Sequence, residues 1–369
     1  MKKNNNVIIY AYNGGADIDQ YGIFRNEVRI PLNIGFGLSE LGYNVNIINP
    51  LFNELTTKPK LIENKGNITL SKVPISNHYN YSLAWNWFHI EDVLYDRAIC
   101  LTNYPREARD AIVNIKNGNK KIRNRELIIA TPYEHLVEHM NQNDGFGTKH
   151  LNGAILKTEF LPPLHPIPCY QLGFSEYNCN LNKKSGWLKI YVYICSWEKN
   201  LKGITEYSAV LEDIKKITNL KLKLYIQLDS PDTINDLENL SNITKIGDEI
   251  EYIYKKRYDE FLNMISNMDL FLIKGTQFMA SAGIYDIISM GKPMMYISEN
   301  MSGRLFRNPL FEHEKEILFM GSTREHINKM TTNFINNPSI SYNKFRDSMK
   351  DSDFKNWKIH AEKIFDLSN

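Results

Sequence analysis

Residues 269–298 read DLFLIKGTQFMASAGIYDIISMGKPMMYIS. Positions 269–273 are short, apolar and free of charge past the first residue, which predicts a buried strand. Positions 274–281 form a loop of small and polar residues. Positions 282–290 predict a helix that Gly291-Lys292-Pro293 stops, because glycine suits a helix C-cap and proline cannot continue the turn. Positions 294–297 predict a second strand. Strand, loop, helix and strand make one βαβ unit, and that unit implies a parallel sheet. Ligands of such sheets bind beyond the carboxyl ends of the strands, where a helix N-terminus offers free N–H groups to phosphate. Asp286 stands one turn into the helix, five residues before Gly291. A carboxylate there can accept both hydroxyls of a ribose. It can also do no more than complement the helix dipole.

The totals frame that unit. A chain of 369 residues is long for one core and natural for two domains. Its 43% hydrophobic and 23% charged content is ordinary for a globular protein. A net charge of +2 excludes a broad polycationic surface, so the usual electrostatic sign of a nucleic-acid partner is missing. Cys100, Cys169, Cys179 and Cys195 form no Cys-x-x-Cys pair and have no metal-like spacing with histidine, so free thiols in a reducing compartment are expected. The apolar run at 7–11 is too short for a signal peptide, and no stretch reaches the length of a membrane span. The expectation is a cytosolic protein.

The α/β logic of residues 269–298 recurs along the chain. Strands are predicted at 7–11, 44–48, 67–70, 96–101 and 127–130. A helix is expected from Pro31 in its first turn to Leu41, packing through Leu32, Ile34, Leu38 and Leu41 and capped by Gly42. A second helix is expected over 106–116. Residues 160–170, FLPPLHPIPCY, hold four prolines and suit neither a helix nor a central strand. We read 161–184 as the exit from the first domain. A fresh series follows: strands at 188–195 and 222–227, helices at 205–217 and 258–267, then the opening unit. The last helix, 354–367, is amphipathic and expected to pack back onto the first domain. The fold class is therefore α/β, with two Rossmann-like domains facing a cleft. The domains expected are 1–170 and 171–350, with the tail 351–369 returning to the first.

Candidate chemistry lies in the loops after strands. The first strand of the second domain runs into Ser196-Trp197-Glu198-Lys199-Asn200-Leu201-Lys202-Gly203. Lys199 and Lys202 are compact cations suited to phosphate, and Gly203 lets backbone approach closely. A solvated lysine loop is the bland alternative. Lys274, Thr276 and Gln277 belong to the same rim, and Ser281 and Gly283 open the helix of Asp286. Arg304 and Arg307 are candidates for an acceptor or a diphosphate, or plain surface residues. In the first domain Asn13, Gly14, Asp17 and Asp19 follow the first strand, and Thr131-Pro132-Tyr133-Glu134-His135 follow a strand read as central. Transfer to a hydroxyl needs a base, and Glu134, His135, Asp17 and Asp19 are the candidates. Asn13, Gly14, Thr131 and Tyr133 are candidates for the acceptor. His89, beside Trp85, Trp87 and Phe88, reads as part of an aromatic packing cluster. The basic run 116–125, KNGNKKIRNR, precedes a strand and reads as a solvated loop away from the cleft. No carboxylate cluster points to a tightly held metal.

An acidic residue five positions before Gly-x-Pro resembles the donor-binding signature of nucleotide-sugar glycosyltransferases of the GT-B fold, in which that residue holds the ribose. The lysines of 199–202 then stand where such enzymes meet the donor's diphosphate. A narrower resemblance is to the T-even phage DNA β-glucosyltransferases. It rests on residues 39–48, SELGYNVNII, on Tyr95-Asp96-Arg97 opening a strand, and on Tyr285-Asp286. The resemblance implies a UDP-sugar as co-substrate, UDP-glucose in particular, and a hydroxymethylated pyrimidine in duplex DNA as acceptor. It implies no tightly bound cofactor, though a loosely bound Mg²⁺ is compatible with it. In that family the catalytic aspartate directly follows a threonine. Here Thr131 is followed by Pro132, and the nearest carboxylate is Glu134, so the base stays open. The alternatives are a transferase building a bacterial surface glycan, or a nucleotide- or sugar-binding protein of the same fold without turnover.

Overall fold

The computed structural model describes residues 5–10, 26–48, 67–85, 94–101, 122–130, 154–156, 186–194, 203–228, 231–240, 242–254, 258–274, 287, 292–298, 317–338 and 357–365. The chain divides into two compact units, Met1–Ile167 with Ser352–Asn369, and Pro168–Asp351.

The first unit contains β1 (Asn6–Tyr10), α1 (Asn26–Glu40), β2 (Asn44–Ile48), β3 (Ile68–Ser71), β4 (His78–Trp85), β5 (Leu94–Leu101), β6 (Ile122–Ala130) and β7 (Ala154–Leu156). Among the described residues these strands form one sheet in the order β3-β2-β1-β4-β5-β6-β7, every pair parallel. Val7, Ile8 and Ile9 are fully buried, which explains the unbroken apolar run of β1. The one polar residue inside β2, Asn46, is buried and fully engaged. It donates to Ser71 Oγ at 2.7 Å and accepts from the Tyr79 hydroxyl at 2.8 Å. Helix α1 ends at Gly42, whose φ of 89° is left-handed. The Tyr43 N–H reaches the Leu38 carbonyl and the Gly42 N–H reaches that of Ser39, the paired bonds of a Schellman ending.

The second unit contains β8 (Trp187–Tyr193), α2 (Ile204–Thr218), β9 (Lys221–Gln227), α3 (Thr233–Leu240), α4 (Ile243–Ile246), β10 (Glu249–Ile253), α5 (Tyr258–Ser266), β11 (Leu270–Lys274), β12 (Met294–Ser298), β13 (Ile317–Phe319) and α6 (Arg324–Asn336). Its sheet runs β10-β9-β8-β11-β12-β13, again all parallel. Counted within the unit, that is the 3-2-1-4-5-6 order of a Rossmann fold. One face packs Leu188, Ile190, Val192, Leu222, Leu224 and Ile226 under α2 and α6. Each such side chain contributes about 1.5–3 kcal/mol on full burial. On the other face the Tyr191 ring lies 5.5 Å from Phe271 and 6.2 Å from Phe261 of α5.

The last helix, α7 (Trp357–Phe365), belongs to the first unit and packs on α1. Gly37 makes that contact close. A Cβ there would overlap the backbone carbonyl of Trp357.

The structure corrects several readings. Helix α1 begins at Asn26, so Pro31 lies in its second turn rather than its first. The strand expected at 127–130 starts at Ile122, so residues 122–125 of the basic run are strand, not loop. Pairing of Ile122 with Tyr95, across a register shift in β5, holds them there. Nor is β6 central. It lies between β5 and the edge strand β7. Strands β4, β7, β10 and β13 and helices α3, α4 and α6 were not read. They are short segments or segments rich in polar residues. The helix expected at 106–116, the segment 161–184, His89, Arg304 and Arg307 lie outside the described residues.

Candidate functional site

In an open parallel sheet the binding crevice lies beyond the carboxyl edge, where the strand order reverses. In the second unit the reversal falls between β8 and β11, which pair in parallel with Tyr193 opposite Ile273. The chain leaves β8 into residues 195–203 and leaves β11 into residues 275–286. Topology therefore sends both segments out from adjacent strands at one edge. Ser196, Lys199, Lys202, Thr276, Ser281, Gly283 and Asp286 themselves lie outside the described residues, and of Lys274 only the backbone is described.

Gly203 is described, and it opens α2. It is buried and left-handed, with φ 83° and ψ 0°, a conformation that costs an L-residue about 1–2 kcal/mol. No side chain caps α2. Glu206 stands at the third helical position, where a capping-box glutamate would turn back to the cap N–H. Its carboxylate instead accepts the Gly321 N–H at 2.6 Å, and the residue is 8% exposed. The first-turn N–H groups of α2 are thus left without a side-chain cap. The Tyr207 hydroxyl donates to the Tyr193 carbonyl at 2.8 Å and holds the helix start against the end of β8.

Of the helix expected at 282–290, one residue is described. Ile287 is helical and fully buried, and its carbonyl accepts the Lys292 N–H at 3.2 Å. That five-residue reach equals that of the outer bond at the Gly42 ending. The Lys292 ammonium donates to the carbonyls of Ser266 at 2.7 Å and Met268 at 3.2 Å, at the C-terminus of α5. The middle residue of Gly-Lys-Pro is therefore structural.

Three residues at this edge were missed from the sequence. Glu206 had a signal, its spacing of three from Gly203. Gln227 ends β9 and accepts a hydrogen bond from the Tyr191 hydroxyl; nothing in the sequence pairs the two. Tyr254, after β10, has its hydroxyl buried, and burial pushes its pKa up.

In the first unit the reversal lies between β1 and β4. Asn13, Gly14, Asp17 and Asp19 follow β1 in sequence, whereas Thr131, Tyr133, Glu134 and His135 follow the near-edge strand β6. All eight lie outside the described residues. Among the described residues no group of three or more His, Cys, Asp or Glu is placed to hold a metal, and no helix is long and apolar enough to cross a membrane.

No protein-family model matches this sequence, and no curated protein matches it. Solved structures do match along the whole chain. WaaG, a glycosyltransferase involved in lipopolysaccharide biosynthesis, superposes with a TM-score of 0.59 at 12% identity, over 97% of this chain and 99% of its own. The catalytic domain of starch synthase IV from Arabidopsis thaliana, bound to ADP and acarbose, gives 0.56 at 10% identity, over 98% of each chain. The E. coli trehalose-6-phosphate protein bound with UDP-2-fluoro glucose gives 0.54 at 10%, over 99% of each. The fold is GT-B. Its two Rossmann-like sheets account for the two strand-order reversals, one in each unit.

Proposed function

We propose that this GT-B chain is a glycosyltransferase that takes a sugar from a nucleotide-sugar donor, UDP-glucose, and passes it to a hydroxyl of an acceptor, a 5-hydroxymethylpyrimidine in DNA. One observation carries the donor half. The strand order reverses between β8 and β11, so the segment bearing Lys199, Lys202 and Gly203 and the segment bearing Asp286 leave one carboxyl edge. The uncapped N-terminus of α2 and the two lysines meet the diphosphate. Asp286 accepts the ribose hydroxyls. Ser196, Lys274, Thr276, Ser281 and Gly283 line the same rim.

The reaction follows from these roles. The acceptor oxygen attacks the anomeric carbon, the bond from that carbon to the diphosphate breaks, and its electron pair leaves on the diphosphate oxygen. The lysines and helix dipole stabilise the charge that develops there. A base takes the acceptor's proton. Of the four candidates, Asp17 and Asp19 are favoured over Glu134 and His135, because they follow the strand at the reversal. Asn13, Gly14, Thr131 and Tyr133 are assigned to the acceptor. The acceptor class rests on residues 39–48 and 95–97 and Tyr285-Asp286, and a base in duplex DNA must leave the stack to react.

A second reading, a glycan acceptor at a membrane surface, is favoured by one feature. Val73 and Ile75 stand 65% and 61% exposed on a turn beside Lys72.

The test is nucleotide release from a panel of nucleotide sugars, with and without hydroxymethylated duplex DNA. Release that needs the DNA, with sugar recovered on its nucleosides, supports the full reading. Release indifferent to DNA keeps the donor site and removes the DNA acceptor. Asp286→Ala is expected to abolish donor binding, and unaltered binding in that variant would sink the donor site.

A further inference from the structure

Gln227 closes β9, the strand beside β8, and sits opposite Tyr193 in register. It is therefore one strand from the reversal, at its carboxyl edge. In a Rossmann unit the end of the second strand is where the nucleoside is read. An acidic residue there reads ribose hydroxyls. Here an amide stands in its place, and its orientation is set.

The setting comes from Tyr191. Its ring is 3% exposed, wedged between Phe271 of β11 and Phe261 of α5. A ring so enclosed has one place for its hydroxyl, which donates to the Gln227 carboxamide oxygen. The oxygen is thus engaged, and the NH₂ end is directed away from Tyr191. Among the described residues the Gln227 side-chain nitrogen has no partner. With its oxygen turned to Tyr191, the end of the carboxamide left for a ligand is the NH₂, which offers donors.

Resting on the donor site proposed above, we infer that Gln227, positioned by Tyr191, reads the nucleobase of the donor and selects a keto base over an amino base. Its NH₂ donates to a ring carbonyl, such as O4 of uracil. Cytosine carries at the same place an amino group that is itself a donor, and two donors face to face leave both unpaired. The donor class is a uridine or other keto-base nucleoside diphosphate sugar. Gln227 touches the ligand. Tyr191 acts only through Gln227 and is a positioning residue.

UDP and CDP, which differ at the C4 substituent and in whether N3 carries a proton, are the probes. Their affinities are measured by calorimetry on the full chain and on three variants, each checked for an unaltered melting temperature. The wild type is expected to bind UDP at least tenfold more tightly than CDP. Gln227→Leu should weaken UDP about tenfold and leave CDP nearly as it was. Gln227→Glu keeps an acceptor for Tyr191 and presents an oxygen outward, so its preference should turn toward CDP. Tyr191→Phe frees the amide to rotate and should narrow the UDP-to-CDP ratio without removing UDP binding, an effect that lost packing alone would not produce. A wild-type preference that survives both Gln227 variants overturns this assignment and leaves the donor site standing. A wild type that binds neither nucleotide overturns the donor site and this assignment together.

Discussion

Gly203 and Glu206 show what single residues do at the start of α2. The left-handed cap admits glycine at no steric cost, so Gly203→Ala should lower stability by about 1–2 kcal/mol in urea unfolding. A larger loss in UDP affinity than in stability would place the residue at the diphosphate as well as in the turn. Glu206 tests a different point. Replacing it with alanine leaves the Gly321 N–H without its acceptor, a loss of about 1–2 kcal/mol. Glu206→Gln keeps an acceptor oxygen and should recover most of that. If both variants unfold alike, the carboxylate's charge matters rather than its hydrogen bond. Such side-chain details were not legible in the sequence. The spacing of Gly203 and Glu206 suggests a capping box, and only the fold shows that Gly321, 115 residues further on, claims the carboxylate.

Between elements, charged contacts supplement the apolar core of the second unit. The carboxylate of Asp213 in α2 is 1% exposed and meets Arg324 of α6 at 2.5 Å. Arg324→Ala leaves that buried carboxylate unpaired. The arginine is 46% exposed, so we expect about 2 kcal/mol rather than the full cost of breaking a buried pair. Asp248 ties the end of α2 to β9. Burial works against its charged form, but the Leu222 N–H at 2.8 Å and the Lys215 ammonium at 2.9 Å outweigh burial and lower its pKa. A carboxyl lowered in the folded state stabilises fully above its ordinary value of 3.8, and that contribution fades as pH falls below it. Asp248→Asn should therefore lose less stability than the wild type on acidification below pH 3.8, followed by urea midpoints at each pH. At this scale the sequence was most informative where apolar runs were unbroken. Strands β1, β11 and β12 lie within one residue of the expected bounds, because buried parallel strands need such runs. It was least informative for β4, HYNYSLAW, and β10, EIEYI. Their polar residues meet partners on neighbouring strands, such as Lys223 with Glu249, which no local pattern announces. Position in the sheet was equally hidden. That 127–130 belongs to a near-edge strand follows from pairing, not from composition, and it is the ground on which Asp17 and Asp19 are proposed ahead of Glu134 and His135.

The whole chain divides unequally in connectivity. The second unit is one continuous stretch, Pro168–Asp351, whereas the first needs Ser352–Asn369 to complete it. The reason lies in α1. Gly37 admits the backbone of α7, and Trp357, 5% exposed, is buried when α7 packs there. Removing α7 uncovers that surface of α1, and any side chain at position 37 would keep α7 away. A continuous unit of about 180 residues buries enough surface to fold alone. We therefore expect residues 168–351, expressed alone, to melt in one cooperative transition and to bind UDP, since the donor loops and the α2 terminus all lie within them. Residues 1–167 alone should melt well below the first unit of the full chain, and Gly37→Ala in the full chain should lower that unit's stability by about 1–3 kcal/mol. Hydrogen exchange resolved by segment separates the cases. Gly37→Ala should speed exchange in β1, β2 and α1 while β8, β9 and β11 keep their protection. Equal loss in both sheets would mean that the two units unfold as one, and the division drawn here would fail.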